Sequence, residues 1–330
     1  MMKDQFDRNI DYIRISVTDR CNLRCRYCMP ACGVESVPHG KILTFDEIVR
    51  LTERFADVGV RKVKITGGEP LVRRGVLDLI REIRQVSGID EVTLTTNGVL
   101  IGQQPELAQK LAEAGVSGIN ISLDTLNRKR YEEITGTDRL DDVIRAIDVC
   151  CSIPNLKVKV NTVTLADYNQ DEVEALAYLA KNRNLDVRFI ELMPVGLGKV
   201  FRGYGQDWIL KKLEAVYGPA AADENGRRGN GPAVYYNLDG FCGRVGFISA
   251  MSHMFCGECN RVRLTSEGLL KPCLQYAGGT DLRQLMRDGV SDETLLEAIQ
   301  MAIYHKPSHH HFADEAAENA EEKIMSLIGG

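Results

Sequence analysis

The sequence has no long apolar segment. No hydrophobic run approaches the ~20 residues that a bilayer-spanning helix requires, and residues 1–7 lack the apolar stretch of a secretory signal peptide. We therefore expect a cytoplasmic protein with no membrane partner. In that reducing compartment, ten cysteines favour metal binding or catalysis over disulfide bonds.

The chain also lacks an excess of positive charge and a standard phosphate-binding loop. Its 41 Lys and Arg residues are outnumbered by 46 Asp and Glu residues, so the net charge is −5 and nucleic acid is disfavoured as a partner. No G-x-x-x-x-G-K-[ST] pattern is present, which excludes a P-loop nucleotide-binding protein. The 330 residues suffice for one large α/β domain or for a domain with an appendage.

Six of the ten cysteines form two close triplets. The first has C-x3-C-x2-C spacing and the second C-x2-C-x13-C spacing, and their members are Cys21, Cys25 and Cys28, and Cys256, Cys259 and Cys273. Three thiolates at such spacing can hold three irons of a 4Fe–4S cluster and leave the fourth iron without a protein ligand. Because an open iron can bind a small molecule, each triplet predicts a reaction site as well as an electron store.

Other metal sites remain as alternatives. Ferredoxin-type carriers close the cluster with a fourth cysteine at spacings that the first triplet does not match. A structural zinc site also requires four ligands, and Cys32 or Cys242 could complete one with the first or the second triplet. A C-x3-C-x2-C triplet directly after a strand-like segment is nevertheless typical of radical S-adenosylmethionine (SAM) enzymes. Cys150 and Cys151 end a helical pattern and are expected to pack as small apolar side chains.

Strand and helix patterns alternate over residues 1–194. β-branched and apolar runs predict six strands: Tyr12–Thr18, Lys62–Thr66, Glu91–Thr96, Gly118–Leu123, Lys157–Val163 and Asp186–Leu192. Helices are predicted between them, the first after a capping box of Thr44 and Glu47 and the others at Val76–Val86, Glu106–Ala114, Leu140–Cys150 and Asp171–Ala180. Repeated βα units form a parallel sheet, and six units fall short of the eight that close a TIM barrel. The predicted fold class is therefore α/β, a partial (βα)6 TIM-type barrel.

Polar or glycine-rich segments follow or end each predicted strand, where function collects in parallel α/β folds. These segments are Thr18–Cys21, Gly67–Pro70, Thr95–Gly98, Ser122–Asp124, Lys159–Asn161 and Glu191–Pro194. Each one alone could be a turn, but six of them at one rim predict a shared site.

Residues 195–330 are less regular and are predicted to be a C-terminal extension that carries the second cluster. The pattern there indicates a helix at Asp207–Tyr217, a surface loop at Ala221–Pro232, and short strands at Val234–Leu238 and Val245–Ser249. Three consecutive histidines are expected in an exposed loop, namely His309, His310 and His311.

Taken together, these motifs resemble the MoaA family of radical SAM enzymes, the GTP 3′,8-cyclases that begin molybdenum cofactor biosynthesis. The resemblance runs from Arg14 to Gly330. Its most specific segments are Arg14–Cys21, Gly67–Pro70, Cys256–Leu264, Cys273 and the terminal Gly329–Gly330. The first triplet alone would indicate only a radical SAM enzyme. The second triplet, the Asn-Arg-x-Arg run and the Gly-Gly tail narrow the resemblance to the MoaA family.

By this resemblance, the cluster on the first triplet binds SAM, donates one electron and cleaves SAM to methionine and a 5′-deoxyadenosyl radical. Four residues fall at SAM-contact positions of the family: Tyr27, Gly68, Ser122 and Met193. Gly68 suits such a position because a missing Cβ lets backbone groups approach the methionine amino group.

The cluster on the second triplet would bind the guanine of GTP. GTP-contact positions of the family fall on Arg14, Lys64, Thr95, Lys159, Arg261, Val262 and Arg263. A triphosphate without a P-loop requires several cations, and forked Arg side chains suit phosphate oxygens. The family more often has Arg at the position of Lys64, which keeps the charge but not the bidentate geometry, and Lys62 is a secondary candidate. The radical would remove the ribose 3′ hydrogen, and C3′ would attack C8 to give (8S)-3′,8-cyclo-7,8-dihydroguanosine 5′-triphosphate.

The terminal Gly329 and Gly330 have two interpretations. Terminal glycines are usually frayed, whereas in the family the tail reaches into the active site, and Lys323–Ile328 is apolar enough to dock. The resemblance also implies an electron donor for the first cluster and transfer of the product to the next enzyme of the molybdopterin pathway. A monomer and a homodimer both fit the sequence. A peptide-maturing radical SAM enzyme with an auxiliary cluster and a non-enzymatic iron–sulfur carrier remain as rival hypotheses.

Overall fold

The structure is a computed structural model that describes residues 2–223, 229–312 and 320–329. The predicted contribution of Gly330 therefore lies outside the described residues. No helix within these three ranges is long and apolar enough to cross a membrane.

The six predicted βα strands are all present, and each begins and ends within two residues of its predicted position. They are β1 (Tyr12–Ser16), β2 (Lys62–Thr66), β3 (Glu91–Thr96), β4 (Val116–Ser122), β5 (Lys157–Val163) and β6 (Leu185–Ile190). β2, β3 and β5 match the prediction at both ends. This agreement reflects their buried β-branched residues, which favour a pleated surface packed against neighbouring elements.

Helices connect these strands. They are α1 (Phe45–Asp57), α2 (Val76–Gln85), α3 (Val99–Gln103), α4 (Glu106–Glu113), α5 (Arg128–Thr135), α6 (Leu140–Ser152) and α7 (Val173–Tyr178). The predicted capping box is confirmed: the Glu47 amide donates to the Thr44 hydroxyl at 3.2 Å, and the Thr44 amide donates to the Glu47 carboxylate at 2.8 Å. The sequence pattern does not predict the short α3 and α5, and α7 is shorter than its predicted span.

The C-terminal region contains both strands and helices. They are α8 (Gln206–Tyr217), β7 (Ala221–Ala222), β8 (Val234–Asn237), β9 (Val245–Ile248), β10 (Arg261–Leu264), β11 (Leu269–Lys271), β12 (Thr280–Asp281), α9 (Leu282–Arg287), α10 (Asp292–Tyr304) and α11 (Met325–Ile328). The predictions for α8, β8 and β9 are confirmed within one residue at each end. The surface loop predicted over Ala221–Pro232 is correct only in part where it is described: Ala221 and Ala222 are exposed but form β7, which pairs with β8, and residues 229–232 line the cavity.

Within the described residues, all twelve strands form one sheet in the order β12-β11-β10-β1-β2-β3-β4-β5-β6-β9-β8-β7. β1 to β6 pair in chain order and are parallel, as the (βα)6 prediction requires. The C-terminal region adds β10 parallel to β1 and β9 parallel to β6. Antiparallel β11–β12 and β8–β7 continue the two edges, so the C-terminal region extends the open barrel on both sides.

Alternate residues along the strands separate an apolar layer from a polar one. Ile13, Ile15 and Ile65 pack beneath the helices in the main hydrophobic core. Their neighbours Arg14 and Lys64 face the interior of the barrel, because successive side chains of a strand point to opposite faces of the sheet. The barrel interior is therefore a polar, charged cavity, whereas a closed TIM barrel fills this space with apolar side chains.

Candidate active site

A cavity of about 350 Å³ runs through the interior of the partial barrel. Its walls contain all six cysteines of the two triplets, all four residues expected at SAM-contact positions, and six of the seven residues expected at GTP-contact positions. The exception is Val262, whose side chain is buried in the hydrophobic core while its backbone pairs with Ile13 of β1. The structure thus brings the candidate residues together around one space.

The two triplets lie toward opposite ends of this cavity. The first follows the carboxyl end of β1, as the sequence predicts. In the second, Cys259 precedes the amino end of β10, which runs parallel to β1. Cys273 follows β11, which is antiparallel to β10 and therefore ends at the same side. The second triplet therefore lies at the end of the barrel opposite the rim that the carboxyl ends of β1 to β6 form.

The first triplet lies in a tightly turned loop. The amides of Cys28 and Met29 both donate to the Cys25 carbonyl at 2.8 Å. Burial raises the pKa of the Cys21 thiol, raises that of Cys25 well above its usual range and raises that of Cys28 to about 12. Since a metal deprotonates the thiols that coordinate it, these half-buried thiols with raised pKa values suit a metal cluster better than the chemistry of a free thiolate.

The second triplet has a different electrostatic environment. Cys256 opens a 3-10 turn over Cys256–Glu258. Although burial alone raises the pKa of Cys259, the positive charges of Arg261 and Lys306 lower it to about 6. At neutral pH, Cys259 is therefore largely a thiolate, the form that binds metal.

The donor arrangement fits a cluster better than a single ion. Among the residues that the structure describes, no group of three or more His, Cys, Asp or Glu side chains is arranged to hold one metal ion. Cys32 and Cys242, the candidate fourth zinc ligands, are exposed and do not line the cavity. Each triplet contributes three cysteine thiols to the cavity wall, which is the donor set of a 4Fe–4S cluster with one iron free of protein ligands.

Tyr27 and Asp124 form a buried hydrogen bond beside the first triplet. The Tyr27 hydroxyl donates to Asp124 Oδ2 at 2.7 Å, and the Val163 amide donates to Asp124 Oδ1 at 2.8 Å. Burial raises the pKa of Tyr27 well above its usual range and raises that of Asp124 to about 6. This pair fixes the Tyr27 ring and ties the cysteine loop to the carboxyl ends of β4 and β5.

Gly68 is required by the chain's own backbone. A Cβ at this position would lie 2.3 Å from the Arg20 carbonyl oxygen, a separation that would force the backbone to move. The Gly68 amide donates to the Thr18 carbonyl and the Glu69 amide to the Arg20 carbonyl, both at 2.7 Å. The absent side chain therefore lets the loop after β2 hold the first cysteine loop, whereas its approach to SAM stays a prediction.

Glu69 joins three loops at the same rim. Its Oε1 accepts from the Leu71 amide at 3.0 Å and from the Thr96 hydroxyl at 2.8 Å, and its Oε2 accepts from the Asn97 amide at 2.7 Å. The Asn97 side chain in turn donates to Asn22 at 2.7 Å. Burial raises the pKa of Glu69 to about 7 even though these donors favour the carboxylate. Glu69 therefore positions the loops that follow β1, β2 and β3.

A group of cations lines the cavity between the triplets. Its members are Arg14, Lys64, Lys157, Lys159, Arg188, Arg261, Arg263 and Lys306. Burial and the charges of Arg188, Arg14 and Lys159 lower the pKa of Lys64 well below its usual range. Burial is also the main cause that lowers the pKa of Arg263 to about 9. So many buried like charges destabilise one another, and an anionic ligand would relieve that repulsion.

One lysine and one arginine depart from the sequence expectation. Lys62, the secondary candidate, forms an ion pair with Asp11 at 2.8 Å and does not line the cavity. Arg188, which motif analysis missed, does line it and donates to the Asn161 side chain at 2.9 and 2.6 Å. A lone arginine inside the apolar strand β6 is the signal that could have identified this residue, because such a charge is rarely buried without a role.

The described part of the C-terminal tail is docked. Ile328 packs with Val195 and Leu274, and Gly329 adopts a φ of 79°. A Cβ on Gly329 would lie 2.8 Å from Ser16 Cβ. The fraying interpretation is therefore wrong for Gly329.

The histidine cluster divides between surface and interior. His309 and His311 are exposed, as expected. His310 is instead buried, lines the cavity and forms a hydrogen bond through Nε2 with the Ala250 carbonyl at 2.8 Å. The exposed-loop prediction is thus wrong for His310, because consecutive residues of an extended segment point in alternate directions.

Comparisons with known proteins identify the family. A model described as Radical SAM superfamily matches residues 15–180, and a model described as Molybdenum Cofactor Synthesis C matches residues 185–312. A GTP 3′,8-cyclase of Clostridium perfringens (strain SM101 / Type A) is 46% identical over 329 residues, and one of Heliobacterium modesticaldum is 46% identical over 331 residues. Each alignment covers 100% of both chains. The chain belongs to the GTP 3′,8-cyclase family.

A solved structure supports the fold of this GTP 3′,8-cyclase family member. Streptococcus suis SuiB superposes with a TM-score of 0.61 at 17% sequence identity, and the match covers 91% of this chain and 66% of that chain. At this identity the likeness shows the fold alone. It agrees with a radical SAM partial barrel that continues into a C-terminal extension.

Proposed function

We propose that this chain is a GTP 3′,8-cyclase that converts GTP to (8S)-3′,8-cyclo-7,8-dihydroguanosine 5′-triphosphate, the first step of molybdenum cofactor biosynthesis. The observation that carries the proposal is a single cavity lined by two cysteine triplets and by eight cations. A nucleotide can reach both metal sites only if they share such a space. The full-length GTP 3′,8-cyclase relatives support the same conclusion.

The first triplet would hold a 4Fe–4S cluster on Cys21, Cys25 and Cys28. When bound, the cluster supplies the single electron that reductively cleaves SAM to methionine and a 5′-deoxyadenosyl radical. The protein's part is to hold the loops around that reaction. Glu69 fixes the loops after β1, β2 and β3, while Asp124 orients Tyr27. Tyr27, Gly68, Ser122 and Met193 are the residues that we assign to SAM binding.

The second triplet would hold a 4Fe–4S cluster on Cys256, Cys259 and Cys273, and its iron without a protein ligand would bind guanine. We assign triphosphate binding to Arg14, Lys64, Lys159, Arg261 and Arg263, with Arg188 as an addition to the sequence-based set. Each cation can donate charge-assisted hydrogen bonds to phosphate oxygens. Thr95, which accepts from Asn120 at 3.2 Å, supplies a neutral polar contact nearby. Val262 would contribute through its backbone.

The charge balance of the cavity also favours a polyanion. In the empty protein, burial and mutual repulsion lower the pKa values of Arg14, Lys64 and Arg263. Glu91 is a nearby carboxylate that partly opposes this effect for Lys64. A bound triphosphate would supply several more negative charges and stabilise the cationic forms. The cavity is therefore better suited to a nucleotide triphosphate than to a neutral peptide segment.

Isotope transfer tests the proposed reaction directly. The product is an isomer of GTP, because the hydrogen lost from C3′ is balanced by the electron and proton taken up after ring closure. With unlabelled GTP, mass alone therefore does not distinguish product from substrate, and chromatographic separation is required; with GTP deuterated at C3′, the product is lighter because it has lost the deuterium. We expect the reconstituted enzyme, incubated anaerobically with SAM, dithionite and GTP deuterated at C3′, to form the isomer and 5′-deoxyadenosine that carries one deuterium. Formation of 5′-deoxyadenosine without deuterium, and of no isomer, would overturn the proposal.

The wider setting follows from the reaction. We assign residues 1–194 to the radical SAM core and residues 195–330 to the region with the second cluster, the GTP-binding Arg261 and Arg263, and the tail. The enzyme requires an electron donor, and its reactive product requires a consuming enzyme, the next of the molybdopterin pathway. We assign the cyclisation of GTP and the consumption of its product to the cytoplasm, where GTP and reductant are available.

A further inference from the structure

Two buried cations outside the cysteine motifs contact the backbone of the second triplet. Lys306 lies after α10 and is 3% exposed. Its ammonium group donates to the Arg261 carbonyl at 3.0 Å and to the Pro272 carbonyl. The first carbonyl lies two residues after Cys259, and the second belongs to the residue before Cys273. Lys306 therefore connects the segment that contains Cys259 to the segment that contains Cys273.

Arg8 makes a similar backbone contact with Cys256, the third cysteine of the second triplet. Its side chain is 5% exposed and forms an ion pair with Asp4, whose side chain is 0% exposed, at 2.6 Å. One guanidinium nitrogen donates to the Cys256 carbonyl at 2.8 Å and to the Ser308 carbonyl at 2.9 Å. The other donates to the Pro307 carbonyl at 2.7 Å. Arg8 thus connects Cys256 to the segment that carries Lys306.

These contacts form a closed arrangement around the triplet. Arg8 holds Cys256 and residues 306–308, and Lys306 holds the segments of Cys259 and Cys273. The Arg261 and Pro272 carbonyls that accept from the Lys306 ammonium are neutral, so these two contacts do not cancel its charge near the thiolates. Buried cations in such contacts are costly unless the site gains from their charge or from the rigidity that they provide.

We propose that Arg8 and Lys306 act as a cation clamp that positions the three cysteine segments of the second cluster and makes that cluster easier to reduce. The inference rests on the proposed assignment of a 4Fe–4S cluster to this triplet. A cluster with three thiolates carries substantial negative charge, and nearby positive charge and hydrogen bonding raise its reduction potential. Residues 4–8, at the opposite end of the sequence, thereby become part of the second-cluster site.

The experiment isolates the second cluster in the full-length chain. In a background with Cys21, Cys25 and Cys28 changed to Ser, all bound iron belongs to the second triplet. Iron per chain, the rate of iron loss to a chelator, the electron paramagnetic resonance spectrum and the midpoint potential are measured without nucleotide. The absence of GTP matters, because Lys306 also lines the cavity and a role limited to nucleotide binding would leave these quantities unchanged.

Each variant has its own expected result. Lys306→Met keeps the side-chain length, and we expect a more negative midpoint potential with an altered spectrum. Arg8→Ala should release iron roughly 10- to 100-fold faster, in line with the effect of outer contacts on metal affinity, and Arg8→Lys should restore part of the retention. Arg84→Ala is the matched control, because it removes one bond to the Ile89 carbonyl, 2.7 Å in length, in the outer helical layer. That control should match the background.

The outcomes separate the clamp from the function on which it rests. If Lys306→Met and Arg8→Ala fold normally by circular dichroism and match Arg84→Ala in iron retention and potential, the clamp is refuted. If the background itself binds no iron, the second-cluster assignment fails, and the clamp fails with it. A shifted potential in Lys306→Met with unchanged iron content supports the clamp even if Arg8→Ala folds poorly.

Discussion

The Arg263 guanidinium donates a hydrogen bond to the carbonyl oxygen of Gly329 at 2.8 Å. Both residues are buried, so the contact joins the end of the chain to a cation of the cavity wall. The preceding Ile328 is held by apolar contacts with Val195 and Leu274. The tail and Arg263, one of the cations assigned to GTP, are therefore held together directly.

The tail contact predicts a specific effect of substituting Gly329. Gly329→Ala places a side chain in a left-handed conformation, which costs about 1–2 kcal/mol, and brings its Cβ within 2.8 Å of Ser16 Cβ. We expect cyclisation to fall at least tenfold while iron content stays normal, since the cysteines are untouched. Product formation and iron per chain are the measurements.

Gly289→Ala controls for the backbone strain alone. Gly289 has a similar φ of 76°, and a Cβ there would meet no heavy atom within 4 Å. We expect normal cyclisation from this variant. Equal activity of the Gly329 and Gly289 variants would contradict a role for the docked tail.

A buried ion pair holds the start of the C-terminal tail, residues 320–329, against the rest of the protein. Lys271 and Glu321 form an ion pair, and their side chains are 1% and 5% exposed. Lys271 also donates to the Tyr276 and Gly278 carbonyls. Because removing one partner of a buried pair costs about 3–5 kcal/mol, Glu321→Gln should release the tail and sharply increase its cleavage by carboxypeptidase. Lys3→Met, which breaks an exposed pair with Asp7, should leave cleavage unchanged, and release by both variants would contradict this anchor.

Arg188 should contribute to GTP binding although no sequence motif indicates it. A charged hydrogen bond is worth about 1.5–3 kcal/mol, so Arg188→Ala should weaken GTP binding about 10- to 150-fold. SAM binding should change less than twofold. Calorimetric titration with each ligand measures both effects, and Lys62→Ala, outside the cavity, is the control. Equal losses for GTP and SAM would indicate a folding defect instead of a phosphate contact.

The lowered pKa of Lys64 predicts proton uptake upon GTP binding. Lys64 loses its proton more easily than usual in the empty protein because of burial and the charges of Arg188, Arg14 and Lys159. A triphosphate favours the cationic form, so binding above the lowered pKa should take up a proton, and GTP affinity should fall as pH rises past that value. Calorimetry in buffers of different ionisation enthalpy measures this uptake. It should decrease in Lys64→Met but not in Lys62→Met, and identical uptake in both variants would contradict the assignment.

Local sequence signals predict much of the N-terminal fold. The six β-branched strands and the Thr44–Glu47 capping box depend on residues close in sequence, and the structure contains them within two residues. The cysteine triplets are equally local. The pairing of β10 with β1 is not a local property. In Arg261–Leu264 charged and apolar residues alternate, but this pattern does not reveal which strand is the partner.

Similar physical reasons explain why the sequence did not assign some residues near the site correctly. Lys62 and Lys64 have the same parity on β2, so alternation cannot distinguish them. Position along the strand decides, because Lys62 pairs with Asp11 at the amino end while Lys64 lies opposite Arg14 inside the barrel. The bonds of Lys306 and Arg8 are made to backbone carbonyls, which no side-chain motif reports.

The central claim is that two metal sites with different tasks share one cavity. It is tested most directly by measuring SAM cleavage in two variants, each with one cysteine replaced by serine. Cys25→Ser should abolish formation of 5′-deoxyadenosine, because the electron-donating cluster loses a thiolate. Cys259→Ser should retain measurable 5′-deoxyadenosine formation while the cyclised nucleotide disappears. Correct folding is checked by circular dichroism in both. If both variants fold and lose SAM cleavage to the same extent, the assignment of separate tasks to the two triplets is contradicted.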